Sequence, residues 1–179
     1  YDQIFTSTSN DYIKAQIDYL AGNAHIELGQ TDEGYARYLH AVGNYPLSIF
    51  SYLSLIELVD ANVPVDDLDR GLADYFASQY DVALVAFDRH IAANPTSDGT
   101  AQYYRALTLR DLQRTQEAID ALDTFIKTYG GHERWTDAWE EKAFLEWAVQ
   151  GNTAAGIITL TDFVAAIPNS TAAPDFLMT

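Results

Sequence analysis

Cysteine is absent from this 179-residue chain, so neither a disulfide framework nor a thiolate metal site is possible, and thiols say nothing about its redox compartment. Basic residues are scarce. Ten Lys and Arg stand against 26 Asp and Glu, giving a formal charge of -16 and a pI near 4.2. Phosphates would be repelled over most approaches, which excludes nucleic acid and anionic lipid as partners of a generic electrostatic surface. No apolar run reaches the roughly 20 residues of a membrane-spanning helix. The chain opens on Tyr1-Asp2, with neither a methionine nor a charged-then-apolar leader, as expected of a piece excised or processed from a longer protein. Strand punctuation is also missing: there are no alternating Val/Ile/Thr runs bounded by Asn-Gly or Asp-Gly turns.

What recurs instead is Ala, Leu, Tyr and Asp at three-and-four spacing through nearly every window, the pattern of an all-α protein. Gly29, Pro46, Pro64, Pro95, Gly99, Gly130-Gly131, Gly151 and Pro168 cut the pattern into segments. The expected helices are 11–28, 31–44, 47–61, 64–79, 81–94, 98–113, 115–129, 133–150 and 152–167, with a stub from 171.

The segments repeat to a fixed ruler. Gly71 is followed after twelve residues by Ala83, after four more by Phe87 and after eight more by Pro95. Gly22, Gly34, Tyr38 and Pro46 reproduce it, as do Ala106, Ala118, Leu122 and Gly130; Phe144, Gly156, Leu160 and Pro168 do so except for the first small residue. Small side chains at both ends of the twelve-residue step let two antiparallel helices approach closely, so Gly or Ala of the first should meet Gly or Ala of the second. The large residue one turn later is expected to plug the gap between its own pair and the next, and the proline or glycine to end the second helix. A helix pair cannot bury both faces alone, so pairs should stack.

Those residues, with "ELGQTDEG", "ASQYDVA" and "AVQGNTAAG" at the inter-helix turns, resemble the tetratricopeptide repeat family. The resemblance implies a right-handed superhelical solenoid of about four helix pairs over residues 12–170, after a lead-in at 1–11 and before the start of a further helix at 171–179. Gly34 to Ala83 is 49 residues, 15 more than a repeat, and the excess is assigned to an extra helix, "LSIFSYLSLIELVDA", between the first and second pairs. Family positions on the concave wall fall on Tyr19, Asn23, Tyr75, Phe76, Tyr103, Leu107, Arg110 and Glu141. Of these only Arg110 is basic, which disfavours the clamping of acidic C-terminal tails seen in some of these repeats.

A second resemblance rests on "NYPLSIFSY", Asn44 to Tyr52, which is similar to the helical domain preceding the catalytic domain of bacterial soluble lytic transglycosylases. It implies a non-catalytic scaffold in an exported, cell-envelope protein, with a lysozyme-like domain and its Glu-Ser motif expected downstream of Thr179; this sequence has no Glu-Ser dipeptide. An adaptor repeat protein of envelope assembly is the alternative, and a cytoplasmic location stays open. The partner is accordingly a protein or a peptidoglycan-associated molecule.

Catalytic patterns are not found. His25, His40, His90 and His132 are scattered and form no His-Glu-x-x-His motif, so no metal site is expected. "VDDLDR" lacks the central glycine and terminal glutamate of an EF-hand, and its Asp66, Asp67 and Asp69 suit a helix N-terminus. Glu140 and Glu141 are adjacent and would point about 100° apart on a helix, unlike an acid/base pair. No phosphate-cradling or dinucleotide glycine motif occurs, and no cofactor is implied. The Trp135, Trp139 and Trp147 rings are read as packing along one helix face.

Overall fold

The computed structural model describes residues 5–6 and 8–167. Among these there are nine α-helices and no strand: α1 (Asp11–Glu27), α2 (Thr31–Asn44), α3 (Ile49–Asp60), α4 (Asp67–Phe76), α5 (Tyr80–Ala93), α6 (Thr100–Asp111), α7 (Thr115–Thr128), α8 (Trp135–Phe144) and α9 (Thr153–Ala166). A π-helical turn, Leu145–Val149, continues α8. The expected helix at 171–179 and its preceding stop, Pro168, lie outside the described residues. The chain divides into two compact units, residues 1–93 and 94–179, within each of which neighbouring helices pack in sequence.

Three of the helix pairs share one turn. In α1–α2, the Gln30 N–H donates to the His25 carbonyl at 2.9 Å and the Gly29 N–H to the Ile26 carbonyl at 3.0 Å, the two bonds of a Schellman cap. The same bonds join Gln79 to Asp74 (2.8 Å) and Ser78 to Tyr75 (2.9 Å) in α4–α5, and Arg114 to Leu109 (2.9 Å) and Gln113 to Arg110 (2.8 Å) in α6–α7. The motif requires a left-handed residue at its centre, and Gly29, Ser78 and Gln113 have φ of 75, 60 and 60°. Only glycine adopts this without steric cost.

The first unit holds two pairs and the extra helix. A Cβ placed on Gly34 would come within 3.1 Å of the Gly22 carbonyl oxygen, so the two glycines do meet at the α1–α2 crossing. The large residue does more than plug the gap toward the following helices, where Tyr38 packs with Leu55, Leu58 and Ala73. The Tyr38 ring lies directly on Gly22, and the Phe87 ring on Gly71, where an added Cβ would be 2.6 Å from Phe87 Cε1. Each ring thus fills the hole left by the missing side chain in its own pair. Phe87 is fully buried. The 15-residue excess forms α3, capped by Ser48, whose Oγ accepts from the Phe50 N–H at 3.2 Å. Apolar residues of α3, Leu55 and Leu58, join Tyr38, Val42 and Ala73 in the core. Asp18, fully buried, ties α1 to α2 by bonding Arg37 at 3.2 Å and His40 at 2.7 Å. Among the acidic residues of "VDDLDR", Asp66 caps α4 by accepting from the N–H groups of Leu68 (2.8 Å) and Asp69 (3.3 Å).

In the second unit Ala106 and Ala118 are fully buried, as the ruler requires. The last pair departs from it. Gly156 faces Ala143, with an added Cβ 3.3 Å from the Ala143 carbonyl oxygen, whereas Phe144 is 50 % exposed. From Ala143 to Gly156 is thirteen residues rather than twelve. The π turn absorbs the additional one: the Asn152 N–H reaches the Glu146 carbonyl, six residues back, at 2.8 Å. The plug moves too. Leu160 is only half-buried, and Phe163, fully buried, packs against Trp135 and Trp139 at centroid distances of 6.0 and 5.9 Å. Trp147 stands apart from that cluster, 52 % exposed.

Candidate interaction surface

Four of the eight wall residues lie in the first unit, and their side chains are engaged in packing. Tyr19 tilts against Tyr38 and against Phe50 of α3, with centroids 6.0 and 5.9 Å apart. Asn23 Oδ1 accepts a hydrogen bond from the Tyr38 hydroxyl. Burial, followed by Glu57, Tyr19 and Tyr35, pushes that phenol up to about 12, so it is a donor at any ordinary pH. Helix α3 packs on both α1 and α4, so the wall positions of α1 face another helix. Tyr75 contacts Phe76 edge-on (5.2 Å) and Tyr80 (5.8 Å), making a small half-buried aromatic cluster at the end of α4.

The other four come together on α6 and α8. Tyr103 is 6 % exposed, wedged between Tyr104 (5.4 Å) and Phe125 (5.5 Å). Its phenol is raised to about 12, chiefly by burial and then by the Asp137 carboxylate. Leu107 is buried one turn on. Arg110 crosses between the helices: its Nε and Nη2 donate to Asp111 at 2.8 and 3.0 Å, and its Nη1 lies 3.0 Å from Glu141 Oε2. Burial opposes the guanidinium charge, but those carboxylates outweigh it and hold the group above its usual value. Arg110 is therefore a strut between helices.

Of three residues beside these, Tyr104 and Asp137 were not picked out from sequence and Glu140 was weighed only as half of an acid/base pair. Tyr104 is half-buried next to Tyr103, Asp137 bonds Arg134 at 3.1 Å, and Glu140 is exposed on the following turn of α8. The Glu140 carboxyl is raised by partial burial, then by the neighbouring Asp137 and Glu141 charges. The available signal was spacing: 137, 140 and 141 share a helix face three and four residues apart. The resulting patch is aromatic at its base and acidic at its rim.

Among the described residues no group of three or more His, Asp or Glu is placed to hold a metal. His25 pairs with Gln30 (2.7 Å), His40 with Asp18, and His132 Nε2 lies 3.3 Å from Thr100 Oγ1 beside an open cleft of about 550 Å³. No helix among these residues is long and apolar enough to cross a membrane.

Residues 100–132, which span α6, α7 and most of the link to α8, match the family model for the tetratricopeptide repeat. None of the curated proteins matches the chain. The matched repeat and the all-helical, pairwise packing together support a tetratricopeptide-like helical-repeat fold for this chain.

Proposed function

We propose that this chain is a binding scaffold whose α6–α8 surface receives a polypeptide segment carrying Lys or Arg. The observation that carries the reading is the tetratricopeptide match over α6 and α7, a repeat whose stacked helix pairs typically build protein-binding surfaces rather than catalytic ones. Charge then selects the partner. Arg110 is tied to Asp111 and Glu141 and Arg134 to Asp137, while Glu140 stays exposed at the rim of a chain of formal charge -16. Fluorescence anisotropy with a Lys/Arg-rich peptide and its charge-reversed counterpart tests this. The basic peptide should bind, weaken with salt, and lose at least about tenfold in affinity to Tyr104→Ala with Glu140→Lys. Equal behaviour of the two peptides would contradict the reading.

The narrower proposal places this scaffold beside a peptidoglycan-cleaving, lysozyme-like domain in an exported bacterial protein. Its support is the Asn44–Tyr52 segment, which forms the link that seats α3: Ser48 caps the helix and Ser51 Oγ lies 2.6 Å from the Tyr45 carbonyl. The purified 179-residue chain should release no soluble muropeptides from peptidoglycan. Release by this chain would assign cleavage to the repeats themselves.

A further inference from the structure

Asp98 is the only aspartate or asparagine in the chain that is followed by glycine. That dipeptide is the one most open to attack by its own backbone, because glycine has no side chain to hinder the approach of its amide nitrogen to the preceding carboxyl group. The structure shows why both residues are there. Gly99, the N-cap of α6, is buried and has φ of 105°, and a Cβ on it would lie 2.7 Å from Tyr129 Cγ and 3.2 Å from Phe125 Cε2. No residue with a side chain meets both conditions. Asp98, exposed at the preceding position, accepts from the Thr100 N–H at 2.9 Å and so satisfies the first donor of α6, which glycine cannot cap. Close packing and helix initiation each demand one half of a labile pair.

We propose that Asp98-Gly99 is a latent isoaspartate site, kept intact by the α6 cap and the Tyr129 ring and converted when this corner opens. The Gly99 amide nitrogen gives up its proton and bonds Asp98 Cγ, while the hydroxyl of the protonated carboxyl leaves with that proton as water. The product is a five-membered succinimide. Water then adds to one of the two ring carbonyls: opening at Cγ restores aspartate, and opening at the main-chain carbonyl leaves a backbone that runs through Cγ. The second product is isoaspartate, and the sequence of steps needs no reactant but water.

The closed corner resists the first step. Ring closure takes the Asp98 carboxyl off the Thr100 N–H and shifts a Gly99 backbone that the Tyr129 ring, itself packed on Phe125 at 5.3 Å, holds down. Reaction therefore waits on local opening of the corner. Conversion is hard to reverse in effect, because isoaspartate puts one extra backbone carbon ahead of Gly99 and moves its carboxylate to Cα, away from the Thr100 N–H. The first turn of α6, which leads to Tyr103 and Tyr104, then loses its cap.

Peptide mapping of the full 179-residue chain after incubation in mildly acidic buffer tests the proposal. Trypsin cuts after Arg89 and Arg105, and in residues 90–105 Asp98 is the single aspartate while Asn94 is blocked by Pro95. Isoaspartate, separated by chromatography from the aspartyl peptide of equal mass, should accumulate there faster than at any other aspartate. A synthetic 90–105 peptide, which has no clamp, should convert at least about tenfold faster than the folded chain. Tyr129→Ala should speed the folded chain at least about threefold, while Gly29→Ala in the first unit leaves the rate unchanged. Asp98→Ser keeps a capping oxygen without a carboxyl to cyclise and should yield no rearranged product. Equal rates in peptide and folded chain, or no isoaspartate at Asp98 in either, would overturn the proposal. So would Gly29→Ala matching the acceleration by Tyr129→Ala, because global unfolding rather than this corner would then set the rate.

Discussion

Asp74 offers the sharpest electrostatic test of the packing. Its side chain lies on α4 with 6 % exposure, and its Oδ2 is 3.6 Å from Arg70 Nε, an ion pair too long to be a hydrogen bond. Burial raises the carboxyl from 3.8 to about 6, against the opposing pull of Arg70. Between those two values the unfolded chain has lost the proton that the folded chain keeps. The folded state therefore binds more protons there, and stability must fall as pH rises. The contribution is fully present below 3.8 and gone once pH has passed through about 6, some 3 kcal/mol in total at about 1.4 kcal/mol per unit. Near pH 4 the molecule is at its isoelectric point and prone to associate, so the practical window is about pH 5 to 7.5, where roughly half of the change falls. Asp74→Asn removes the titration. Urea unfolding of both proteins across that window should show the variant gaining on the order of 1 kcal/mol on the wild type as pH rises. A difference that stays flat, or that shrinks with pH, would mean that Asp74 is hydrated or properly paired.

Other consequences follow from individual positions. Gly43 lies exposed in α2 with only the Asp69 carboxylate nearby, 3.1 Å from an added Cβ, so Gly43→Ala should stabilise by about 0.5–1 kcal/mol through helix propensity; urea melts check it. Gln113 holds φ at 60° at the centre of a Schellman turn, and Gln113→Gly should raise stability by up to about 1 kcal/mol in the same assay. The α1–α2 turn already has glycine in that place, and there Gly29→Ala should cost about as much. Because the buried plug of the last pair is Phe163 and Leu160 is only half-buried, Phe163→Ala should cost roughly 3–5 kcal/mol in thermal or urea unfolding and Leu160→Ala clearly less.

Much of the helical layout was legible because breakers and small residues act locally. The expected segment 31–44 coincides with α2, and the 15-residue excess between Gly34 and Ala83 is α3. The turns at Ser78 and Gln113 were less visible, since a left-handed residue is announced only when it is glycine. Nothing in "FLEWAVQ" signals a π turn, and its additional residue moved Ala143 into the place the twelve-residue ruler gave to Phe144. The surface was read less well for a related reason. Wall positions give a direction but not a neighbour: Tyr19 meets Phe50 only because α3 intervenes, and Tyr103 sinks onto Phe125 while Tyr104 and Glu140 take the rim.

The central claim is that the α1–α2 and α4–α5 pairs each close by a large ring seated on a glycine of the facing helix. A double-mutant cycle on Gly71 and Phe87 addresses it most directly, because an added Cβ at Gly71 would lie 2.6 Å from the ring. Gly71→Ala alone should cost about 1–3 kcal/mol by overpacking, and with Phe87→Leu, which removes the ring, most of that cost should disappear, leaving a favourable coupling of about 1 kcal/mol or more. Costs that add to within about 0.5 kcal/mol would contradict the claim.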